Sequence, residues 1–242
     1  MTRFAASVCW YVLVGGLAHP ACAETLEEVE KQLIENHNKL KSCITKTRVV
    51  DHVDSVVDGT RTKTETECTV KWMRKGDKVL YRAECEGAGT QTVNGKETKI
   101  SATGFTVVSD GDVLYTLLER DGRKKVGKGK PDPGAGGDPK WMFATFKRDY
   151  TLKLLADEKI ENQDCFVIEL TPKHPGDGEK GKTVEYFRKD LALLVKWVDH
   201  DKNDNPTVTK TTTVVSFNID IPSDVFKVPE GTEVMDMTKP QP

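Results

Sequence analysis

Apolar residues recur at helical spacing near the start of the chain: Leu26, Val29, Leu33, Leu40 and Ile44 stand among charged and amide side chains. Recurrence every three or four residues places such side chains on one stripe of an α-helix. Thr25 and Glu28 lie at capping-box spacing at the head of this stripe. A helix is therefore predicted from Thr25, ~27 Å long if it holds about eighteen residues. Beyond it the period changes to two. Phe166, Ile168 and Leu170 alternate with Val167 and Glu169, and Leu191, Leu193, Val195 and Trp197 alternate with residues such as Lys196. That alternation predicts strands of a curved sheet with one apolar face. Turn dipeptides punctuate the region before them: Asp58-Gly59, Gly76-Asp77, Asn94-Gly95, Asp110-Gly111 and Asp121-Gly122. Their frequency predicts an antiparallel meander, with the helical stripe lying on the sheet's apolar face.

One stretch, Gly127 to Gly137, is too rich in Gly and Pro for regular structure and reads as a mobile loop. It leads to Asp138-Pro139, an N-cap followed by a first-turn proline, and then to Trp141, Met142, Phe143 and Phe146 on a short helix. A flexible loop carrying an aromatic helix has the makeup of a lid. The aromatic set Trp72, Tyr81, Trp141, Phe143 and Phe146 suits either the lining of a lipid cavity or an ordinary packed core.

The N-terminus changes the setting. Arg3 precedes an almost wholly apolar run, Phe4 to Leu17, and Ala21-Cys22-Ala23 is a small-x-small site before the polar Glu24-Thr25. Residues 1–23 are thus predicted to be a secretory signal peptide, leaving 24–242 as one domain. The apolar run falls short of the ~20 residues of a membrane span. An alternative makes Cys22 a lipid-attachment cysteine, although His19 stands where a leucine is usual.

In an oxidising compartment Cys43, Cys68, Cys85 and Cys165 suggest two disulfides rather than metal ligands. One pairing follows from hairpin geometry. A two-residue Gly76-Asp77 loop pairs Lys75 with Lys78, and counting outward sets Trp72 opposite Tyr81, Val70 opposite Ala83 and Cys68 opposite Cys85. This is a non-hydrogen-bonded site, where Cα atoms are ~4.5 Å apart and within disulfide reach. By elimination Cys43 would meet Cys165; the other connectivities and buried free thiols stay open.

Composition narrows the function. The chain is 37% hydrophobic and 31% charged with a formal net charge of -2, which argues against nucleic-acid binding as the main role. His37, His52, His174 and His200 are scattered and no nucleophile-elbow or zinc-protease motif occurs, so neither an enzyme nor a cofactor is expected. Asp199 to Asn205 resembles the start of a calcium loop, but Asp204 and Lys210 occupy the positions of the turn glycine and the bidentate glutamate, favouring an exposed hairpin turn and no metal. The basic run Arg123-Lys124-Lys125, with Lys128 and Lys130, suits anionic headgroups or an acidic partner, or simply a solvated loop.

The last third carries a more specific signal. Ile168-Glu169-Leu170-Thr171-Pro172-Lys173, Val184-Glu185-Tyr186-Phe187, Val195-Lys196-Trp197 and Pro222-Ser223-Asp224-Val225-Phe226-Lys227-Val228-Pro229-Glu230-Gly231 follow one another in the order of the periplasmic outer-membrane lipoprotein carriers. The segment resembles that LolA-like family. The resemblance implies a mainly β (α+β) fold: an incomplete, strongly curved antiparallel β-barrel with an N-terminal helix and short lid helices over its hollow. It further implies a monomeric periplasmic carrier that shelters acyl chains of a lipoprotein or lipid, loaded by an ATP-driven inner-membrane complex and unloaded by an outer-membrane receptor. Leu26, Val29, Leu33 and Leu40 would then form one wall, Trp141, Phe143 and Phe146 the lid, and Trp72, Tyr81 and Trp197 the sheet side, with Arg48 placed early in the strand after the helix. A disulfide to the helix would restrict its opening. Two other readings are a sensor of mislocalised lipoprotein, whose family members usually carry a further C-terminal domain, and a ligand-free structural envelope protein.

Overall fold

Thr25 caps the first helix, α1 (Leu26–Asn38), through the predicted capping box: its hydroxyl accepts from the Glu28 N–H, and the Glu28 carboxylate accepts from the Thr25 N–H at 2.8 Å. This computed structural model describes residues 24–54, 60–120, 123–131, 137–174, 180–228 and 234–236. The signal-peptide segment with Cys22, the Asp58-Gly59 and Asp121-Gly122 turns, and residues 132–136 of the glycine-rich stretch lie outside the described residues. α1 holds 13 residues, fewer than the apolar stripe predicts. The Lys39 and Leu40 N–H groups turn back to Asn36 and His37, while the Lys41 carbonyl is already paired with the Arg74 N–H at 2.8 Å. Sheet pairing therefore takes over before Ile44, and Leu40 sits in the connection.

The strands are β1 (Ser42–Asp54), β2 (Arg61–Lys75), β3 (Lys78–Val93), β4 (Lys96–Ser109), β5 (Leu114–Arg120) and β6 (Arg123–Gly129). Helix α2 (Pro139–Asp149) follows, then β7 (Tyr150–Leu154), β8 (Glu158–Ile160), β9 (Gln163–Pro172), β10 (Lys180–Arg188), β11 (Leu193–Asp201), β12 (Pro206–Phe217) and β13 (Val234–Asp236). They form one open sheet in the order β13-β6-β5-β4-β3-β2-β1-β12-β11-β10-β9-β7, with β8 on β9. The β1–β12 pairing joins the two ends of the chain's strand run. The expected open, curved antiparallel sheet with a helix at its N-terminal side is what the chain forms.

Three local expectations differ. Gly127 to Gly129 belong to β6 rather than to a loop, paired with Leu114, Tyr115 and Thr116 of β5. The closing segment is not all antiparallel strand: Ser223–Phe226 is a 3-10 turn, and β13 pairs with β6 in parallel. The third concerns alternation in β11. Between Tyr186 and Phe187 the pairing shifts from Lys196 to Leu194, so Val195 is the extra residue of a bulge. Leu194 thereby joins Phe187 beneath the helices, and Val195 turns to the opposite face with Val167 and Tyr186.

Both faces consequently bury apolar side chains. One face carries α1 and α2. The other is covered at one side by β8 and Leu155, over Cys165, Val167, Val184 and Tyr186, and at another by the 3-10 turn, whose Phe226 packs with Leu80 and Ile221.

The β2–β3 hairpin follows the counted register throughout: Lys75 faces Lys78, Trp72 faces Tyr81, Val70 faces Ala83, and Cys68 is disulfide-bonded to Cys85 with Cα atoms 4.1 Å apart. Gly76 takes φ +65°, the left-handed conformation that a tight hairpin loop favours. The Cys43–Cys165 pairing is overturned, because both thiols are free and buried. β12, β11 and β10 stand between β1 and β9, four strand spacings of ~4.8 Å, whereas a disulfide needs Cα atoms within ~7 Å. The side chains also occupy different faces: Cys43 packs with Leu40 and Trp72 on the helix side, Cys165 with Val167 on the other.

Candidate functional site

Three regions bear on binding: the seam beneath the helices, a large hollow on the opposite face, and a small cavity at the C-terminal end of α2. The seam is built by period. Val29 and Leu33 on α1, Phe143 on α2, and Phe166, Ile168, Leu170 and Phe187 on β9 and β10 form one buried cluster, with Leu26, Met142, Phe146 and Tyr150 against it. Asp138 starts α2 by accepting from the Lys140 N–H at 3.0 Å, and Pro139 occupies the first turn as its sequence predicts. Phe143 stands with its ring centroid 6.0 Å from Phe146 and 6.3 Å from Phe187. Polar contacts fasten the helices from outside: Lys147 of α2 pairs with Glu30 of α1, and Asn36 donates to the Lys189 carbonyl at 2.8 Å.

A second cluster continues the seam. Leu40, Trp72, Cys43, Leu191 and Leu193 pack together with Tyr81 alongside. The His37 and Trp72 rings lie 5.7 Å apart, and Arg74 bridges them, 2.8 Å from His37 Nδ1 and 5.9 Å from the Trp72 centroid. Burial pushes the Cys43 thiol up to about 11, so it is a protonated, apolar group at neutral pH. Trp141, assigned to the lid from sequence, is 39% exposed and faces outward from α2.

The large hollow, about 1900 Å³, lies against the face opposite the helices and is bordered by β1 to β5, β12 and Glu161. Its side chains are mostly charged or hydroxylated, among them Lys46, Arg48, Glu67, Arg82, Glu84 and Thr211. Arg48, assigned to an acyl cavity from sequence, borders this hollow: its guanidinium is 2.6 Å from Glu65, which holds the Glu65 carboxyl below the usual carboxylate range. Arg82 pairs with Glu84 at 2.7 Å and donates to the Val225 carbonyl at 3.3 Å. Ala88, Ile100, Phe105, Leu117 and Leu118 share this wall with the charged and hydroxyl groups, so the hollow is of mixed character.

The small cavity holds about 240 Å³ and is lined by Phe146 and Tyr150 of the α2 region, Leu170 and Pro172 of β9, Thr183 and Glu185 of β10, and Trp197, Asp199 and His200 of β11. Trp197 is the one sheet tryptophan from the sequence reading that reaches it. Glu185 went unnoticed in the sequence, although strand period puts it on the same face as Phe187. It is 6% exposed, and desolvation pushes its carboxyl up to about 8, against the pull of Lys210 and with a push from Asp199. Burial in turn lowers the Lys210 ammonium, whose Nζ is 5.7 Å from the Trp197 ring centroid.

The unfolded Glu185 releases its proton near pH 4.5, whereas the folded one holds it to about 8. Its stability contribution is complete below the unfolded value and is lost as pH rises through the folded one. Thermal melts from about pH 5 to about pH 9 should show a steeper decline for the natural chain than for Glu185→Gln. Equal declines would rule out Glu185 as the source.

Asp201 accepts from the Asn203 and Asn205 backbone N–H groups, each at 2.8 Å, so 202–205 form the exposed hairpin turn, while Asp199 and His200 belong to β11. Among the described residues no cluster of His, Cys, Asp or Glu is arranged to hold a metal ion, and no helix is long and apolar enough to cross a membrane.

With this geometry in view, likeness to solved structures becomes informative. An uncharacterized conserved protein from Thermus thermophilus overlays with a TM-score of 0.53 at 11% identity, covering 88% of this chain and 99% of its own. A chain in the complex structure of Pseudomonas aeruginosa MucA/MucB overlays with a TM-score of 0.51 at 12% identity; the match covers 86% of this chain and 62% of that one. This chain has their fold. The LolA superfamily protein NE2245 from Nitrosomonas europaea overlays with a TM-score of 0.31 at 13% identity, covering 85% and 99%, too loose a likeness to fix shared geometry. No family model and no curated protein matches the sequence.

Proposed function

We propose that this protein is an extracytoplasmic carrier that shelters acyl chains of a lipoprotein or lipid between its two helices and the sheet. The observation that carries the reading is the aromatic and aliphatic seam around Phe143, closed by α1 and α2 with no disulfide to either helix among the described residues. The chain's one described disulfide lies within a hairpin, so an acyl chain can displace the helices against packing, ion pairs and hydrogen bonds without breaking a covalent link. The order of motifs in the last third and residues 1–23 support the same reading and a periplasmic setting. Burying a chain is worth ~0.8 kcal/mol per CH₂, so complete burial of three long chains would be effectively irreversible. The carrier therefore takes chains in part and releases them to a receptor, with an ATP-driven membrane complex as the loading partner.

Native mass spectrometry of the protein purified from cell envelopes tests this. The expected result is co-purifying lipid or acylated peptide, displaced by a fluorescent acyl probe. A protein that is empty in repeated preparations and takes up no probe overturns the proposal.

A second reading is favoured by the charged hollow, which suits a polar segment of a partner protein. A sensor using that face would bind its partner through Arg48 and Glu67, and charge reversal there would weaken the complex while leaving acyl binding intact.

A further inference from the structure

Three polar atoms that find no hydrogen-bond partner among the described residues belong to one small cavity: Glu185 Oε2, Trp197 Nε1 and His200 Nδ1. Buried polar groups are paired in nearly all native structures, so three gathered at one cavity of about 240 Å³ point to something that pairs them. The volume is roughly that of eight waters.

The chemistry of the three atoms selects the occupant. The Trp197 indole N–H can only donate, so the occupant must offer an acceptor. Glu185 is buried and protonated at neutral pH, which makes it a second donor. His200 Nδ1 serves in either sense. The neighbouring charges are already engaged or set aside. Asp199 accepts from the Thr183 hydroxyl at 2.5 Å, and Lys182 is turned to Glu169 at 3.4 Å and Asp204 at 3.0 Å. Lys210 lies over the Trp197 ring on the β12 side, and Tyr150 is the titratable group facing from the helix side. The remaining wall, Phe146, Leu170 and Pro172, is apolar. Unpaired donors and hydrocarbon lining the same cavity match an oxygen acceptor on an alkyl chain.

We propose that this cavity binds the carbonyl end of an acyl group, its oxygen taking hydrogen bonds from Trp197 Nε1 and Glu185 and its first methylenes lying on Phe146 and Leu170. The inference rests on the acyl-carrier reading for the source of the ligand, but the cavity's own chemistry stands apart from that reading. The occupant's oxygen belongs either to an ester, as in a lipid or lipoprotein, or to a free carboxylic acid.

The test uses the full chain with ¹⁵N-labelled tryptophan, titrated with methyl octanoate, with octanoate, and with decane as a chain lacking oxygen. The Trp197 indole resonance, assigned by its loss in Trp197→Phe, is expected to shift with the ester, the acid or both, and not with decane. A response to the ester assigns an acyl ester, and a response to octanoate alone assigns the free acid. Trp197→Phe should weaken the binding measured calorimetrically about fivefold to tenfold, the size of one lost hydrogen bond. Glu185→Gln, which keeps a neutral donor, should lose the fall in affinity expected above about pH 8 for the natural chain. No shift of the indole resonance, or the same shift with decane, overturns the proposal and leaves the cavity as a water site. A chain that is empty after purification from envelopes and takes up no fluorescent acyl probe, yet shifts its Trp197 indole with methyl octanoate, would sink the carrier reading and keep this one. Co-purified cargo with an unmoved indole would do the reverse.

Discussion

Replacing Phe143 by alanine is expected to destabilise the protein by ~3–5 kcal/mol, with a lowered urea midpoint and little change in slope. Phe143 is fully buried at the meeting of α1, α2, β9 and β10, and its ring touches both Phe146 and Phe187. The backbone of α2 cannot collapse into the space left behind, because Asp138 and Pro139 anchor its start and Tyr150 continues directly into β7. Both the transfer term and the cavity term therefore apply. Trp141 provides the contrast: it lies on the same short helix but outward and 39% exposed, so Trp141→Ala should cost well under half as much. Comparable losses at the two positions would mean that α2 is not seated as described. Because the same seam is the proposed acyl shelter, Phe143→Ala should also change retention of a fluorescent acyl probe, whereas Trp141→Ala should change it little.

Loss of the Cys68–Cys85 disulfide is expected to remove about 3 kcal/mol, the chain-entropy value for a loop of this length. The bond spans 17 residues across the tip of the β2–β3 hairpin and lies between strands already in register. The double variant Cys68→Ala, Cys85→Ala and the reduced natural chain should melt at a similarly lowered temperature, both still folded in the circular dichroism spectrum. Retention of the original midpoint in both would show that the hairpin is ordered without its crosslink. The free thiols offer an internal control. Cys43 and Cys165 are buried, and desolvation raises both. Neither should react with iodoacetamide until the protein unfolds, whereas labelling of Cys43 in the native chain would contradict its placement beside Trp72.

The hairpin is the clearest case of structure legible in sequence. A two-residue Gly76-Asp77 loop sets the register, and strand geometry then carries the pairing outward to Cys68 and Cys85. Each step depends only on neighbours along the chain. Thr25 with Glu28, and Asp138 with Pro139, are legible for the same reason. The Cys43–Cys165 pairing failed because elimination contains no geometry; which strands intervene between β1 and β9 depends on the long-range pairing of β1 with β12. Val195 failed differently. Its alternation was sound until a bulge in β11 inserted one residue, which turned Val195 to the face opposite Trp197 while Leu191 and Leu193 stayed beside Leu40.

The candidate sites divide along the same line. The apolar stripe of α1 and the Phe166, Ile168, Leu170 alternation identify the residues of the seam without saying what lies between them. Glu185 was readable as inward-facing from its spacing to Phe187, but its value as a site comes from Trp197 and His200, brought to it across the β10–β11 pairing. Arg48 was legible as a residue of the strand after the helix, but that it borders the hollow depends on the pairing of β1 with β2 and β12.

Taken alone, the sequence determined what local periodicity and turn chemistry can determine: helix starts, strand alternation, one hairpin register, and a sheet that must bury apolar side chains. Only the tertiary structure decided which face the helices cover, that the opposite face holds a charged hollow, and that three buried polar atoms share one small cavity. The physical reason is that a side chain's face is local, whereas its neighbours are set by sheet order and bulges, which join residues far apart in the chain.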